Sequence, residues 1–120
     1  MQYMLLIYDD EQNLAGLDER DRGQLFEAYD AYTRDMRQKG AFVAGAALQP
    51  TSTATTVRAR NGERLVTDGP FAETKEQLGG YYVIEVDSLD DALDWAARIP
   101  SAKLGSIEVR PVMDTSGGGA

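Results

Sequence analysis

The chain of 120 residues contains no cysteine and no histidine. The first absence excludes disulfide scaffolds, thiolate-ligated metals and cysteine nucleophiles, and the second excludes any mechanism built on imidazole. Positive charge is scarce: 12 Lys and Arg stand against 20 Asp and Glu, for a formal charge of -8 and a pI near 4.4. A surface of that sign repels phosphate backbones and anionic lipid, so neither nucleic acid nor membrane is expected as a partner. Long apolar runs are lacking as well. Residues 2–8 are too short for a signal-peptide core or a membrane span, follow no basic residue and run straight into Asp9, Asp10 and Glu11. A cytoplasmic protein is the expectation. The remainder, 42% apolar and 27% charged, describes one globular domain with a modest core.

Residues 3–8 read as a strand with two apolar faces, Tyr3, Leu5 and Ile7 on one and Met4, Leu6 and Tyr8 on the other. Leu25, Tyr29, Tyr32 and Met36 recur at helical spacing, in a helix that Asp18 caps and that Lys39-Gly40 ends. Residues 42–48 form a short strand. Asn61-Gly62 is a type I′ hairpin signal, and a two-residue turn there pairs Arg60 with Glu63, Arg58 with Leu65, Val57 with Val66 and Thr55 with Asp68. Asp68 then shares a face with Val57, Ala59, Arg64 and Val66. After a loop over 69–77, residues 80–86 form a strand. Ser88 caps a second helix whose expected buried stripe is Leu89, Ala92, Leu93, Ala96 and Ala97, ended by Ile99-Pro100; residues 106–112 form the last strand.

Strand, helix, strand, hairpin, strand, helix, strand is an α+β order. Without the hairpin it is a ferredoxin-like βαββαβ domain over residues 1–113, followed by a frayed tail over 114–120. Two helices cover one face of such a sheet. The other face calls for a second copy packed sheet to sheet, so a homodimer is expected.

The segment Val66-Thr67-Asp68-Gly69-Pro70-Phe71-Ala72-Glu73-Thr74-Lys75-Glu76-Gln77-Leu78-Gly79-Gly80-Tyr81-Tyr82 resembles the DGPF branch of the YCII-related family. The opening Tyr3-Met4-Leu5-Leu6-Ile7-Tyr8, Ala54-Thr55-Thr56-Val57-Arg58, Ala92-Leu93-Asp94-Trp95-Ala96-Ala97 and Ile107-Glu108-Val109-Arg110-Pro111-Val112 extend the likeness over about residues 1 to 113. The resemblance implies a dimeric α/β barrel. It does not bring the histidine–aspartate dyad proposed for the related YciI-like branch, because this chain has no histidine. Some barrel relatives degrade aromatic ring-cleavage products, and genes of the branch often neighbour those of extracytoplasmic-function sigma factors; neither fact carries chemistry by itself.

Asp68, at a strand end beside a Gly-Pro turn, is the candidate general acid or base if desolvated, and otherwise the acceptor of an Asx-type turn. Tyr29, Arg58, Phe71, Glu73, Lys75 and Tyr82 are the candidate ligand-binding residues: two tyrosines able to donate, an arginine for a carboxylate or phosphate, and a loop of mixed charge beside an aromatic ring. Each has a structural alternative. Tyr29, Tyr32 and Trp95 suit core packing, Phe71 suits a plug anchoring its loop, Arg60 suits a surface pair with Glu63, and Gly79-Gly80 suits a bulge or close approach of a ligand. No metal or cofactor is expected, since Asp9-Asp10-Glu11 and Asp90-Asp91 fit cap or turn chemistry. The leading functional expectation is a noncatalytic small-molecule-binding or accessory protein, linked in one form to sigma-factor signalling. The alternative is a small-molecule enzyme, isomerase- or lyase-like, using Asp68 as general acid/base in a pocket between the first helix, the sheet and the 68–77 loop.

Overall fold

A computed structural model describes residues 1–115; of the expected tail, residues 116–120 lie outside the described residues. The strands are β1 (Gln2–Asp9), β2 (Phe42–Ala47), β3 (Thr55–Arg60), β4 (Glu63–Asp68), β5 (Gln77–Glu85) and β6 (Ser106–Pro111), and the helices are α1 (Glu11–Ala15), α2 (Glu19–Gln38) and α3 (Leu89–Ala97). Four strands form an antiparallel sheet in the order β2-β5-β1-β6, and β3 and β4 form a separate two-stranded sheet. The result is a mixed α+β fold with antiparallel sheets and three helices.

Local chemistry places most boundaries. The Asp18 carboxylate accepts from the Asp21 amide at 2.8 Å and starts α2, which stops at Gly40, whose φ is +74°. Ser88 Oγ accepts from the Asp91 amide at 3.1 Å and starts α3. Asn61 and Gly62 take φ of 51° and 77°, the type I′ requirement, and the hairpin register follows as expected, Val57 opposite Val66 and Arg58 opposite Leu65. Between Ile7 and Tyr8 the pairing with β5 steps from Gly80 to Leu78, a bulge at Gly79.

The core lies between the sheet and its helices. Tyr3, Leu5 and Ile7 of β1 and Tyr82 and Ile84 of β5 meet Tyr32 and Met36 of α2 and Ala92, Trp95 and Ala96 of α3. Tyr32 packs edge-on against both Tyr82 and Trp95 and donates its hydroxyl to the Trp95 carbonyl at 2.6 Å. The α3 stripe differs from the expected one. Leu89, Leu93 and Ala97 are exposed, because α3 turns the bulk of Trp95 toward the sheet and those three rotate outward with it. Three short elements lie outside the sequence reading: α1, capped by Asp10, and 3₁₀ turns over Thr51–Thr53 and Pro100–Lys103. Met4, Leu6, Tyr8, Leu78, Tyr81 and Val83 lie half-buried on the sheet face away from this core. Among the described residues no helix is long and apolar enough to cross a membrane.

Candidate functional site

Within the described residues, two polar side chains are buried: Asp9, 5% exposed, and Ser101, 6% exposed. Both line one cavity of about 680 Å³, whose walls come from α1, α2, the end of α3 and the 3₁₀ turn. Its lining is largely apolar, with Leu14, Leu17, Leu25, Ile99, Pro100 and Leu104. That size and makeup suit a small ligand held by a few placed polar groups.

Asp9 reaches this position by strand parity. Tyr3, Leu5 and Ile7 point to the helices, and Asp9, two residues further on, points the same way. Its Oδ1 accepts from the Asp10 amide at 2.8 Å. Burial pushes the Asp9 carboxyl above its ordinary value; the amide pulls it back, and the charges of Glu76 and Asp10 push it further up. Glu76 comes from the segment between β4 and β5, where Ser106 Oγ donates to it at 2.9 Å and the neighbouring Gln77 accepts from the Glu11 amide at 3.0 Å. The end of that loop therefore belongs to the Asp9 end of the sheet.

Behind Ser101, the Tyr29 hydroxyl, whose ring lines a separate groove with Phe26, Asp30 and Thr33, donates to Ser101 Oγ at 2.7 Å. Burial raises the Tyr29 phenol above its ordinary value, its hydrogen bonding with Ser101 pulls it part of the way back, and Tyr82 and, least of all, Asp9 add to the push, so the hydroxyl stays protonated. With a Ser101 lone pair occupied by Tyr29, the serine hydroxyl hydrogen is free to serve a molecule in the cavity. Tyr82 is buried next to these groups, and its hydroxyl shares a hydrogen bond with Thr33 at 2.7 Å. The arrangement sets a carboxyl raised above its ordinary value by burial in one cavity with a serine hydroxyl that accepts from a tyrosine behind it. Such a set can donate, accept or relay a proton on a small molecule.

Of the residues singled out in the sequence, Tyr29 is hydrogen-bonded to a residue that lines this cavity and Tyr82 lies in the core; neither lines the cavity itself. Asp68 and Arg58 lie on the exposed hairpin, and Phe71, Glu73 and Lys75 in the exposed loop after it. The turn after Asp68 is held by one backbone bond and one threonine hydroxyl: the Gly69 amide donates to the Ala54 carbonyl at 2.7 Å, and Thr56 Oγ1 donates to the Gly69 carbonyl at 2.8 Å. Phe71, 79% exposed, is no plug within one chain, and Arg60 donates to the Ala59 carbonyl instead of pairing with Glu63. Asp9 and Ser101 went unread as site residues. For Asp9 the signal was available, since it continues the odd-numbered face of β1, but its place in an acidic run gave it the reading of a cap. Among the described residues no group of three acidic side chains is arranged to hold a metal ion.

The chain matches the YCII-related domain over residues 1–116. An uncharacterised protein of Rhizobium meliloti (strain 1021) is 41% identical over 114 residues, 93% of this chain and 92% of that one. Among solved structures, 5-chloro-2-hydroxyhydroquinone dehydrochlorinase from Burkholderia phenoliruptrix AC1100, in complex with 2,5-dihydroxybenzoquinone, aligns with a TM-score of 0.55 at 17% identity, covering 94% of each chain. At that identity the likeness is one of fold.

Proposed function

We infer that this chain, which belongs to the YCII-related domain family, is a small-molecule enzyme that moves a proton on a ligand held in the Asp9–Ser101 cavity. One observation carries the reading: both buried polar side chains of the described residues line the same ligand-sized space. Asp9 acts as the acid/base, its raised carboxyl bringing it toward the pH at which proton transfer is efficient. Ser101 donates to the ligand, and Tyr29 is a positioning residue that orients Ser101. The apolar walls favour a compact, aromatic-sized molecule, and the oxygen it presents to Asp9 and Ser101 is a hydroxyl or carbonyl. The fold-level likeness to an enzyme solved with a dihydroxybenzoquinone is in keeping with that class. Asp68, proposed from sequence for the acid/base role, lies on the exposed hairpin and needs cover from outside its own chain to be desolvated.

The finer fold assignment belongs to the same proposal. The strand order β2-β5-β1-β6 and the long 66–82 motif support a ferredoxin-like member of the DGPF branch. The half-buried outer face of the sheet, in a molecule with extents of 49 × 48 × 19 Å, supports a second copy as the missing layer of a dimeric barrel.

The test is solvent deuterium exchange into hydroxylated aromatic and quinone probes, beginning with 2,5-dihydroxybenzoquinone, followed by NMR for the wild type and for Asp9→Asn. Binding with exchange that Asp9→Asn abolishes is the expected result. Binding without exchange in the wild type gives instead the noncatalytic ligand-binding protein, and no binding by any probe overturns the cavity as the site.

A further inference from the structure

We propose that the β3–β4 hairpin is an arm that docks on a second copy of this chain, with the two copies exchanging arms about a two-fold axis. The proposal rests on the dimer reading above and adds to it which segment reaches across.

A two-stranded hairpin standing alone in water is marginal at best. Here every residue from 57 to 68 is exposed, and Val57, Leu65 and Val66 keep 60%, 45% and 57% of their surface in solvent. The register sets Val57 directly opposite Val66, with Ala59 and Arg64 as the next pair on that face. Phe71, at the base of the arm, adds a ring that nothing in its own chain covers. The radius of gyration is 16.6 Å, against about 13–14 Å for a compact chain of this length. The excess reflects surface that one chain extends and does not fold back on itself.

Charge identifies the occupant. Arg58, Arg60 and Arg64 against Glu63 and Asp68 make the hairpin +1, which leaves -9 on the rest of a chain whose total is -8. None of the three arginines forms an ion pair among the described residues. A basic, apolar arm therefore belongs to a protein whose remaining surface is acidic and whose outer sheet face is apolar and uncovered. A second copy supplies both at once, and a two-fold axis repeats the contact without exposing a new edge. On the docking face Val57, Val66 and Phe71 meet apolar side chains of the second copy, and Arg64, which shares that face, meets a carboxylate.

The test combines sedimentation with hydrogen exchange on the full chain. The wild type is expected to be a dimer at micromolar concentration, with amides of residues 57–66 protected in the dimer and unprotected after dilution to monomer. The Val57→Asp/Val66→Asp pair should weaken dimerisation by roughly tenfold or more. Should that pair fail to fold, Arg64→Glu, a change at a side chain already in solvent, should weaken it in the same direction. A wild type that stays monomeric overturns both the arm and the dimer reading. A dimer whose arm amides are unprotected, or whose affinity these variants leave unchanged, overturns the arm and leaves the sheet-face dimer standing. Protection that persists in the monomer overturns it too, because the arm then packs on its own chain.

Discussion

The Tyr29 hydroxyl donates to Ser101 Oγ at 2.7 Å across 72 residues of sequence, tying the middle of α2 to the 3₁₀ turn that follows α3. The bond ends on a residue that lines the cavity, which is the basis of the positioning role proposed for Tyr29. Tyr29→Phe keeps the ring and removes the donor, and should cost about 1 kcal/mol in urea denaturation. Ser101→Ala leaves a partly buried hydroxyl without its acceptor and should cost about 1–3 kcal/mol. The double variant should cost less than the two singles together. Ligand affinity separates the roles: a purely structural Tyr29 would leave the affinity of the folded variant unchanged, whereas a positioning Tyr29 would weaken it.

Asp9 gives a pH prediction of definite sign. A carboxyl raised by burial keeps its proton longer in the folded chain than in the unfolded one. Its contribution to stability is full below the ordinary value of 3.8 and is lost as pH rises from there through the folded value. At neutral pH the ionised form is a cost. Asp9→Asn retains an oxygen for the Asp10 amide and carries no charge, so it should melt higher than the wild type at pH 7 while abolishing proton transfer. A variant that melts lower at pH 7 would contradict the burial account.

Asp35 behaves in the opposite sense. The Arg98 guanidinium, hydrogen-bonded to it at 2.5 Å and seated 4.5 Å from the Trp95 ring centre, holds its carboxyl below the ordinary value, with Lys39 assisting. The stability this supplies is present above the ordinary carboxylate value and disappears as pH falls through the depressed one. Asp35→Asn should therefore lower the melting temperature at neutral pH and flatten its decline in acid. Melting curves across the acid range check it, and added salt should shrink the difference because the pair is partly exposed.

Two glycines should respond oppositely to alanine. At Gly105 a Cβ would collide with the Tyr8 carbonyl oxygen, a backbone atom that cannot swing away. Gly105→Ala should cost about 1–3 kcal/mol or more and, by moving the end of β1, displace Asp9 and weaken ligand binding as well. At Gly23, inside α2, a Cβ would meet nothing within 4 Å, and Gly23→Ala should stabilise by about 0.5–1 kcal/mol. Urea denaturation of the two variants decides both.

Some of this was legible in the chain because its causes are local. A cap aspartate three residues before an amide, an Asn-Gly turn and a tyrosine–methionine stripe act over a few residues, and the elements they specify are those observed. The α3 stripe was misassigned because a nine-residue helix with apolar side chains on adjoining faces leaves its rotation to whatever it packs on. Turn and neighbours point to Asp68 in the sequence, whereas the buried carboxyl among the described residues is Asp9, at the end of the strand that runs through the middle of the sheet.

The sequence alone determined the available chemistry: without thiol or imidazole, the proton-transfer groups that remain are carboxylates, hydroxyls and lysine amines. It also determined the ends of the helices and the register of the hairpin, because capping and turn geometry are settled between near neighbours. Which of 20 acidic side chains loses its water was decided only by tertiary structure. Desolvation is set by what surrounds a residue, and Asp9 shares its cavity with elements as distant in the chain as α2 and the turn after α3, which stand together only in the assembled fold.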